Sequence, residues 1–226
     1  TLFRSIKKIG KEAFSGCKNL KTIYLPNGLE ELHEHAFVNC DSLNVLGIMD
    51  GDTFKAELPS SLKLVGQQVF ANDVKLVEIT IPAFDGDTDG DLLKSSTGLF
   101  YGCTGLVNIT ISEGISVIPD SAFTLAGTVY DESETGDEEN GTAIGGGATV
   151  YFPKSLSRIM AKAFSKVRFL PNTTLDFSQM KSLANIDSEA FMGAHNLTRV
   201  LLPDVTNTIS FGNYAFAQTY INRMYV

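Results

Sequence analysis

The chain has 226 residues, 43% of them hydrophobic, and a formal net charge of −8. That is enough apolar material for a continuous core in one or two domains, and no apolar run approaches the roughly 18 residues that would span a bilayer. The opening TLFRSIKKIG lacks the apolar stretch and cleavage site of a secretory signal. The acidity is local, with four Asp within residues 85–91 and six acids within 131–139, so the rest of the chain is close to neutral. With no Lys/Arg cluster either, it offers no electrostatic footprint for nucleic acid.

An internal period organises the sequence. IGKEAFSGCKNLKTIYLP recurs as LHEHAFVNCDSLNVLGI, VGQQVFANDVKLVEITIP, LFYGCTGLVNITI, IPDSAF, IMAKAFSKV, IDSEAFMGAHNLTRVLLP and ISFGNYAFAQ. The anchors are Phe14, Phe37, Phe70, Phe100, Phe123, Phe164, Phe191 and Phe216, spaced by 23, 33, 30, 23, 41, 27 and 25 residues. This is a 23-residue unit in eight copies, lengthened by insertions at 49–57, 83–97 and 127–148, within a single domain covering 1–226.

Six residues after most anchors stands a Leu, at positions 20, 43, 76, 106, 170 and 197. Nine and eleven residues after come the pairs Ile23 and Leu25, Leu46 and Ile48, Ile79 and Ile81, Ile109 and Ile111, and Val200 and Leu202. Alternation of this kind predicts a short strand with one buried side. So short a strand cannot bury its apolar face alone, and the units must stack into a parallel sheet about 4.8 Å per rung. The small Ala before six of the eight anchors permits a tight turn, and the anchors should form a column of phenylalanines. Pro26, Pro82 and Pro203 mark strand exits, where a missing N–H costs the ladder least. In the sixth unit two registers stay open: Leu175 with Phe177, or Phe169 with Leu170.

These units resemble the BspA-like bacterial leucine-rich repeats, which read roughly as I-G-x-x-A-F-x-x-C-x-x-L-x-x-I-x-L-P. The resemblance implies a leucine-rich-repeat solenoid, right-handed, with a parallel β-sheet along one face and short helical or 3-10 turns opposite. It also implies a secreted or surface-anchored protein, extracellular or at the cell surface, with roles in adhesion.

Cys17, Cys40 and Cys103 each follow their anchor by three residues, in a slot filled elsewhere by Asp73, Ala126, Val167, Ala194 and Thr219. An odd count without CxxC spacing favours free thiols packed as small hydrophobes over a disulfide or metal, although Cys17 and Cys40 fall on adjacent rungs. His33-Glu34-His35 has too few ligands for zinc and reads as a solvated loop. Gly145-Gly146-Gly147 lacks the Lys and Ser/Thr of a phosphate loop. No G-x-S-x-G or H-E-x-x-H string occurs, so no enzyme is expected.

Asp85, Asp87, Asp89 and Asp91, with Gly90 at position six, resemble the start of a calcium loop, but position twelve is Ser96 where a bidentate Glu is needed. A solvated acidic loop is the leading reading, with a weak calcium site as the alternative. Asp50 and Asp52 lie one rung away, and if the two loops meet, calcium would order both. Asp131 to Gly147 is expected to be a mobile loop.

The strand residues flanking the inward ones should form the concave recognition row: Thr22 and Tyr24, Val45 and Gly47, Glu78 and Thr80, Asn108 and Thr110, Thr149 and Tyr151, Arg199 and Leu201. A binding module for protein or glycan is therefore expected, as a monomer without cofactor unless calcium binds. A structural spacer is the alternative.

Overall fold

A computed structural model describes residues 6–128, 147–204 and 208–225. Apart from Gly147, the expected mobile loop at 131–147 lies outside the described residues. Each anchor phenylalanine defines one rung, and eight rungs stack in chain order.

The column of phenylalanines is continuous. Successive rings from Phe14 to Phe216 lie 5.1–5.7 Å apart, centroid to centroid, with interplanar angles of 1–15°. The six inner anchors are buried, whereas Phe14 remains 40% exposed at the first rung. Such parallel offset stacking contributes roughly 0.5–1.5 kcal/mol per pair beyond the area buried.

The turns that carry these rings explain why they stack in register. The residues two before and two after every anchor have φ between +49° and +72°. Four of these slots hold Gly, at 16, 98, 102 and 193, and the others hold residues such as Glu12, Gln68, Leu125 and Lys162. A left-handed residue thus stands on either side of the three residues centred on the anchor, and in this turn alternate N–H groups donate across to the neighbouring rung. At each of the seven interfaces three of them donate to carbonyls of the next rung; at Phe37 these are His35 to Gln67, Phe37 to Val69 and Asn39 to Ala71, at 2.9–3.0 Å. The intervening N–H groups close i−3 turns, as from Ala13 to Gly10, Ser15 to Glu12 and Cys17 to Phe14. Non-glycine residues in this conformation are individually unfavourable, and the interface hydrogen bonds offset that cost.

Each rung also carries a longer strand after its anchor, and seven of the eight carry a two-residue strand before it. The short strands form two ladders: Lys8–Ile9, Glu31–Leu32 and Leu64–Val65, then Val117–Ile118, Arg158–Ile159, Asn185–Ile186 and Ser210–Phe211. Between them, rung 4 substitutes the 3-10 helix Leu92–Ser95. The acidic stretch 85–89 stays largely exposed, while its flanks join the core. Phe84 and Leu93 are buried in the core, and the Ser96 hydroxyl donates to the Val65 carbonyl at 2.7 Å.

The long strands make the broad sheet, in three parallel blocks. Rungs 1 and 2 pair through Thr22–Leu25 and Val45–Asp50. Rungs 3 to 5 pair through Glu78–Ile81, Asn108–Ile111 and Thr149–Tyr151. Rungs 6 to 8 pair through Arg168–Asp176, His195–Leu201 and Arg223–Tyr225. Of the two candidate registers of the sixth unit, Phe169, Leu170 and Leu175 fall within one nine-residue strand broken by register shifts, and Phe177 follows directly after it. Phe169 and Leu175 both point into the core, while Leu170 is 41% exposed and does not take the inward leucine slot.

The cysteine slot holds one costly group. Cys40 and Cys103 are buried free thiols as expected, but Cys17 is exposed. Their thiols donate to the carbonyls of Phe14 at 3.2 Å and Phe70 at 3.0 Å. Burial pushes the Cys40 thiol up to about 12, with a further contribution from Asp73, and raises Cys103 as well. Asp73 occupies the same slot one rung on from Cys40 and is fully buried. Its Oδ1 accepts the Cys40 N–H at 2.8 Å, and among the described residues its Oδ2 has no partner. Burial pushes its carboxyl up to about 8.

Two outcomes follow. Phe100→Ala should lower unfolding free energy by about 3–5 kcal/mol in urea titrations, and Phe14→Ala by clearly less, because its ring is already part-solvated. Asp73 keeps its proton in the folded state up to about pH 8, whereas the unfolded chain loses it near pH 4. The folded state therefore binds more protons between these values, and stability falls as pH rises across the window. Asp73→Asn should remove that slope: thermal midpoints equal to the parent near pH 4, and a variant more stable by about 1–3 kcal/mol at pH 8.

Candidate functional site

The parallel registers set the expected recognition row. Glu78, Asn108 and Thr149 stand opposite one another in one line, and Thr80, Thr110 and Tyr151 in the next. Thr22 and Tyr24 occupy the same two lines on rung 1, and Arg199 faces Thr174 and Arg223 across rungs 6 to 8. Period-2 alternation places these side chains outside while Ile79 and Ile109 go to the core. Tyr24 is 48% exposed and Tyr151 61% exposed, which is a large apolar area for surface rings.

Rung 2 departs from the expected row. The insertion after Val45–Asp50 turns back as the antiparallel strand Thr53–Lys55. A Cβ on Gly47 would lie 2.0 Å from the Lys55 carbonyl oxygen, so only glycine admits the returning chain. Phe54 meets Tyr24 edge-to-face at 5.8 Å. The Gly47 position is thus covered by the protein itself rather than open to a partner, while Val45 stays part-exposed.

The same insertion closes the first break in the sheet. Beyond Lys55 the chain runs beside rung 3, where Glu57 bridges Thr80 in parallel, the Thr80 N–H donates to Ala56 at 2.7 Å, and the Leu58 N–H donates to Thr80 at 3.1 Å. The insertion therefore fills this break in two runs, 53–55 antiparallel beside rung 2 and, after a turn closed by the Glu57 N–H on the Lys55 carbonyl at 2.9 Å, 56–58 beside rung 3.

The second break, between rungs 5 and 6, is a cleft of about 320 Å³. Its strands touch at one end, where Ala148 bridges Phe169, and then separate because rung 6 carries extra residues between Arg168 and Thr174 relative to His195 and Arg199. Val150, Phe152, Phe169, Leu175 and Met180 line the floor, and Tyr151 and Leu170 stand at the rim. Val150 and Phe152 are only half-buried, unlike Ile109 and Ile111 at the same positions of rung 4. Among the described residues Asp176 is the one carboxylate lining it, and its Oδ1 accepts the Ser178 N–H at 2.9 Å. The alternative registers of unit six were the only sequence signal of this cleft.

The acidic positions do not gather. Asp50 pairs with Lys55 at 2.7 Å, and Asp52 sits at the exposed hairpin tip. Lys55 beside it holds the Asp50 carboxyl below its ordinary range. Asp85 accepts from the Ser60 hydroxyl at 3.2 Å. Asp87 accepts the N–H groups of Asp91 and Leu92 at 3.3 and 3.1 Å, at the start of the 3-10 helix, and Asp91 lies 3.6 Å from Lys94. Asp89 accepts from Thr88 at 3.4 Å. Among the described residues no group of three or more His, Cys, Asp or Glu is placed to hold a metal ion.

The histidine cluster also disperses. His33 bonds Glu31 at 2.7 Å and His35 bonds Gln68 at 3.0 Å. These belong to an exposed band of ion pairs across rungs 1 to 3, in which Glu30 joins Lys7 and Lys63, each at 2.9 Å. Hydrogen bonds from Lys63 and Lys7 hold the Glu30 carboxyl below its ordinary range. Burial and the charge of Arg168 lower the proton affinity of His195.

A leucine-rich repeat protein from Bacteroides ovatus superposes over 98% of this chain with a TM-score of 0.57 at 18% identity. This chain covers 58% of that protein, a little over half its length. A leucine rich cell surface protein from Faecalibacterium prausnitzii aligns over 97% of this chain and 76% of its own, with a TM-score of 0.36 at 17% identity. No curated protein matches the chain. The sequence matches the family described as BspA type leucine rich repeat region, in six copies over residues 1–123 and 147–226, and with rungs of that period observed throughout, the chain belongs to that family.

Proposed function

We propose that this chain is a binding module, acting at the cell surface or outside the cell, which recognises a protein or glycan ligand across its broad sheet and serves adhesion. The observation that carries the reading is the pair of exposed tyrosines, Tyr24 and Tyr151, set in ordered polar lines with Glu78, Thr80, Asn108 and Thr110. Tyrosine is well suited to recognition because it brings a rigid apolar ring and a polar tip at low entropic cost. Arg199 adds a cation to the far block of the same face. No enzymatic role enters the proposal: the cleft is lined by one carboxylate, without a paired acid, base or nucleophile among the described residues.

Binding to glycan and host-protein arrays, followed by titration of the strongest hit, tests the proposal. Tyr24→Ala combined with Tyr151→Ala should weaken that hit by about tenfold or more, with an unchanged circular dichroism spectrum and melting midpoint. A folded double variant that binds equally well would favour the spacer, whose sheet face carries no energetic hot spot.

A further inference from the structure

We propose that the cleft between rungs 5 and 6 receives an extended peptide segment of a protein partner as an added β-strand. It rests on the binding-module reading but places recognition in main-chain hydrogen bonds at one break in the sheet, with Tyr151 at its rim and Tyr24 remote from it.

The first argument is the direction of the backbone groups. The Thr149 N–H donates to Val107 of rung 4, so Thr149 and Tyr151 turn their main-chain groups toward rung 4. Alternation turns those of Val150 toward the cleft. On the opposite wall the Phe177 N–H donates to Leu201 of rung 7, so Leu175 and Phe177 face rung 7, while Thr174 and Asp176 face the cleft. Neither strand pairs with another described strand on this side. The cleft thus has two facing sheet edges, and an extended backbone satisfies both at once.

The second argument comes from the protein's own first break. There, each edge of the equivalent gap between rungs 2 and 3 is paired by the chain's own insertion, 53–55 running antiparallel along rung 2 and, after a turn, 56–58 lying beside rung 3. The sheet edges therefore accept added backbone without losing the phenylalanine column, since Phe37 and Phe70 remain stacked at 5.4 Å beneath it. Phe123 and Phe164 below the second break are likewise 5.4 Å apart. The two breaks share a frame and differ in the described occupant.

The floor states which peptide fits. Val150 and Leu175 point inward from the two walls, above Phe152, Phe169 and Met180. A strand laid between them turns every second side chain onto that floor, so the preferred segment alternates apolar residues with polar ones. Asp176 at the wall favours a basic residue among the outward positions.

Selection of a phage-displayed library of random dodecapeptides on the intact chain, followed by amide hydrogen exchange read by NMR, tests the assignment. In the free protein the amides of Val150, Thr174 and Asp176 should exchange fast while Leu175 and Phe177 are protected. A selected synthetic peptide should slow all three by about tenfold or more. Thr174→Pro removes one donor on the cleft side and leaves the ladder to rung 7 intact, and should weaken the peptide by about tenfold. N-methylation of alternate peptide amides should do the same on the unaltered protein, which covers a variant that fails to fold. Tyr24→Ala should leave peptide affinity unchanged, so failure of the tyrosine face and failure of the cleft are read separately. Three results would overturn the proposal: a library yielding no peptide sensitive to Thr174→Pro or N-methylation, the three amides already protected without peptide, or a bound peptide that leaves their exchange unchanged.

Discussion

The contact between neighbouring anchor turns sets the geometry on which everything else rests. One ring stacks on the next, and three backbone hydrogen bonds tie each turn to the following one. Those hydrogen bonds require left-handed residues on both sides of the anchor, and the chain adopts them at Glu12, Gln68, Leu125 and Lys162 as readily as at Gly98 and Gly102. A backbone conformation that local preference disfavours is imposed by the interface between units, as expected of a structure whose stability resides in nearest-neighbour terms. Because this side of the solenoid is invariant, the strand side can vary. Insertions, an added strand and a parted sheet all occur above an unbroken phenylalanine column.

Asp73 shows the reverse case, in which position overrides chemistry. The slot after the anchor is small, inward and shared with Cys40 and Cys103. A carboxyl there obtains one hydrogen bond and leaves an oxygen orphaned, so it is held protonated by burial. The neighbouring thiols contribute weak donors to carbonyls and no charge. The stack tolerates one such group because its cost is spread over a column with many favourable interfaces.

Much of the fold was legible in the sequence because the repeat writes each structural element eight times. The anchors, the inward pairs and the outward row were all read from spacing, and the strand registers place Glu78 beside Asn108 and Thr80 beside Thr110. What spacing missed involves segments that break the repeat. Residues 83–97 looked like an acidic loop because aspartates dominate its first half, yet Leu93 and Phe84 carry it into the core and its helix replaces a missing strand. The hairpin over Gly47 depended on where the returning chain crosses, which no single-sequence period encodes. The cleft was visible only as an ambiguity, since the two candidate registers of unit six spread over one long strand and the Phe177 that follows it. The proposed sites thus sit where the period fails and are framed by the part where it holds.

The account makes coupling between adjacent rungs the source of order, and a double-mutant cycle measures that coupling directly. Phe70→Leu and Phe100→Leu, alone and together, report on rings 5.3 Å apart. Phe37→Leu with Phe164→Leu reports on rings separated by three intervening anchors. The adjacent pair should show an interaction energy of about 0.5–1.5 kcal/mol in denaturant titrations, and the distant pair should be additive within about 0.5 kcal/mol. Additivity at the adjacent pair would contradict the claim that stacking between neighbouring turns holds the solenoid in register.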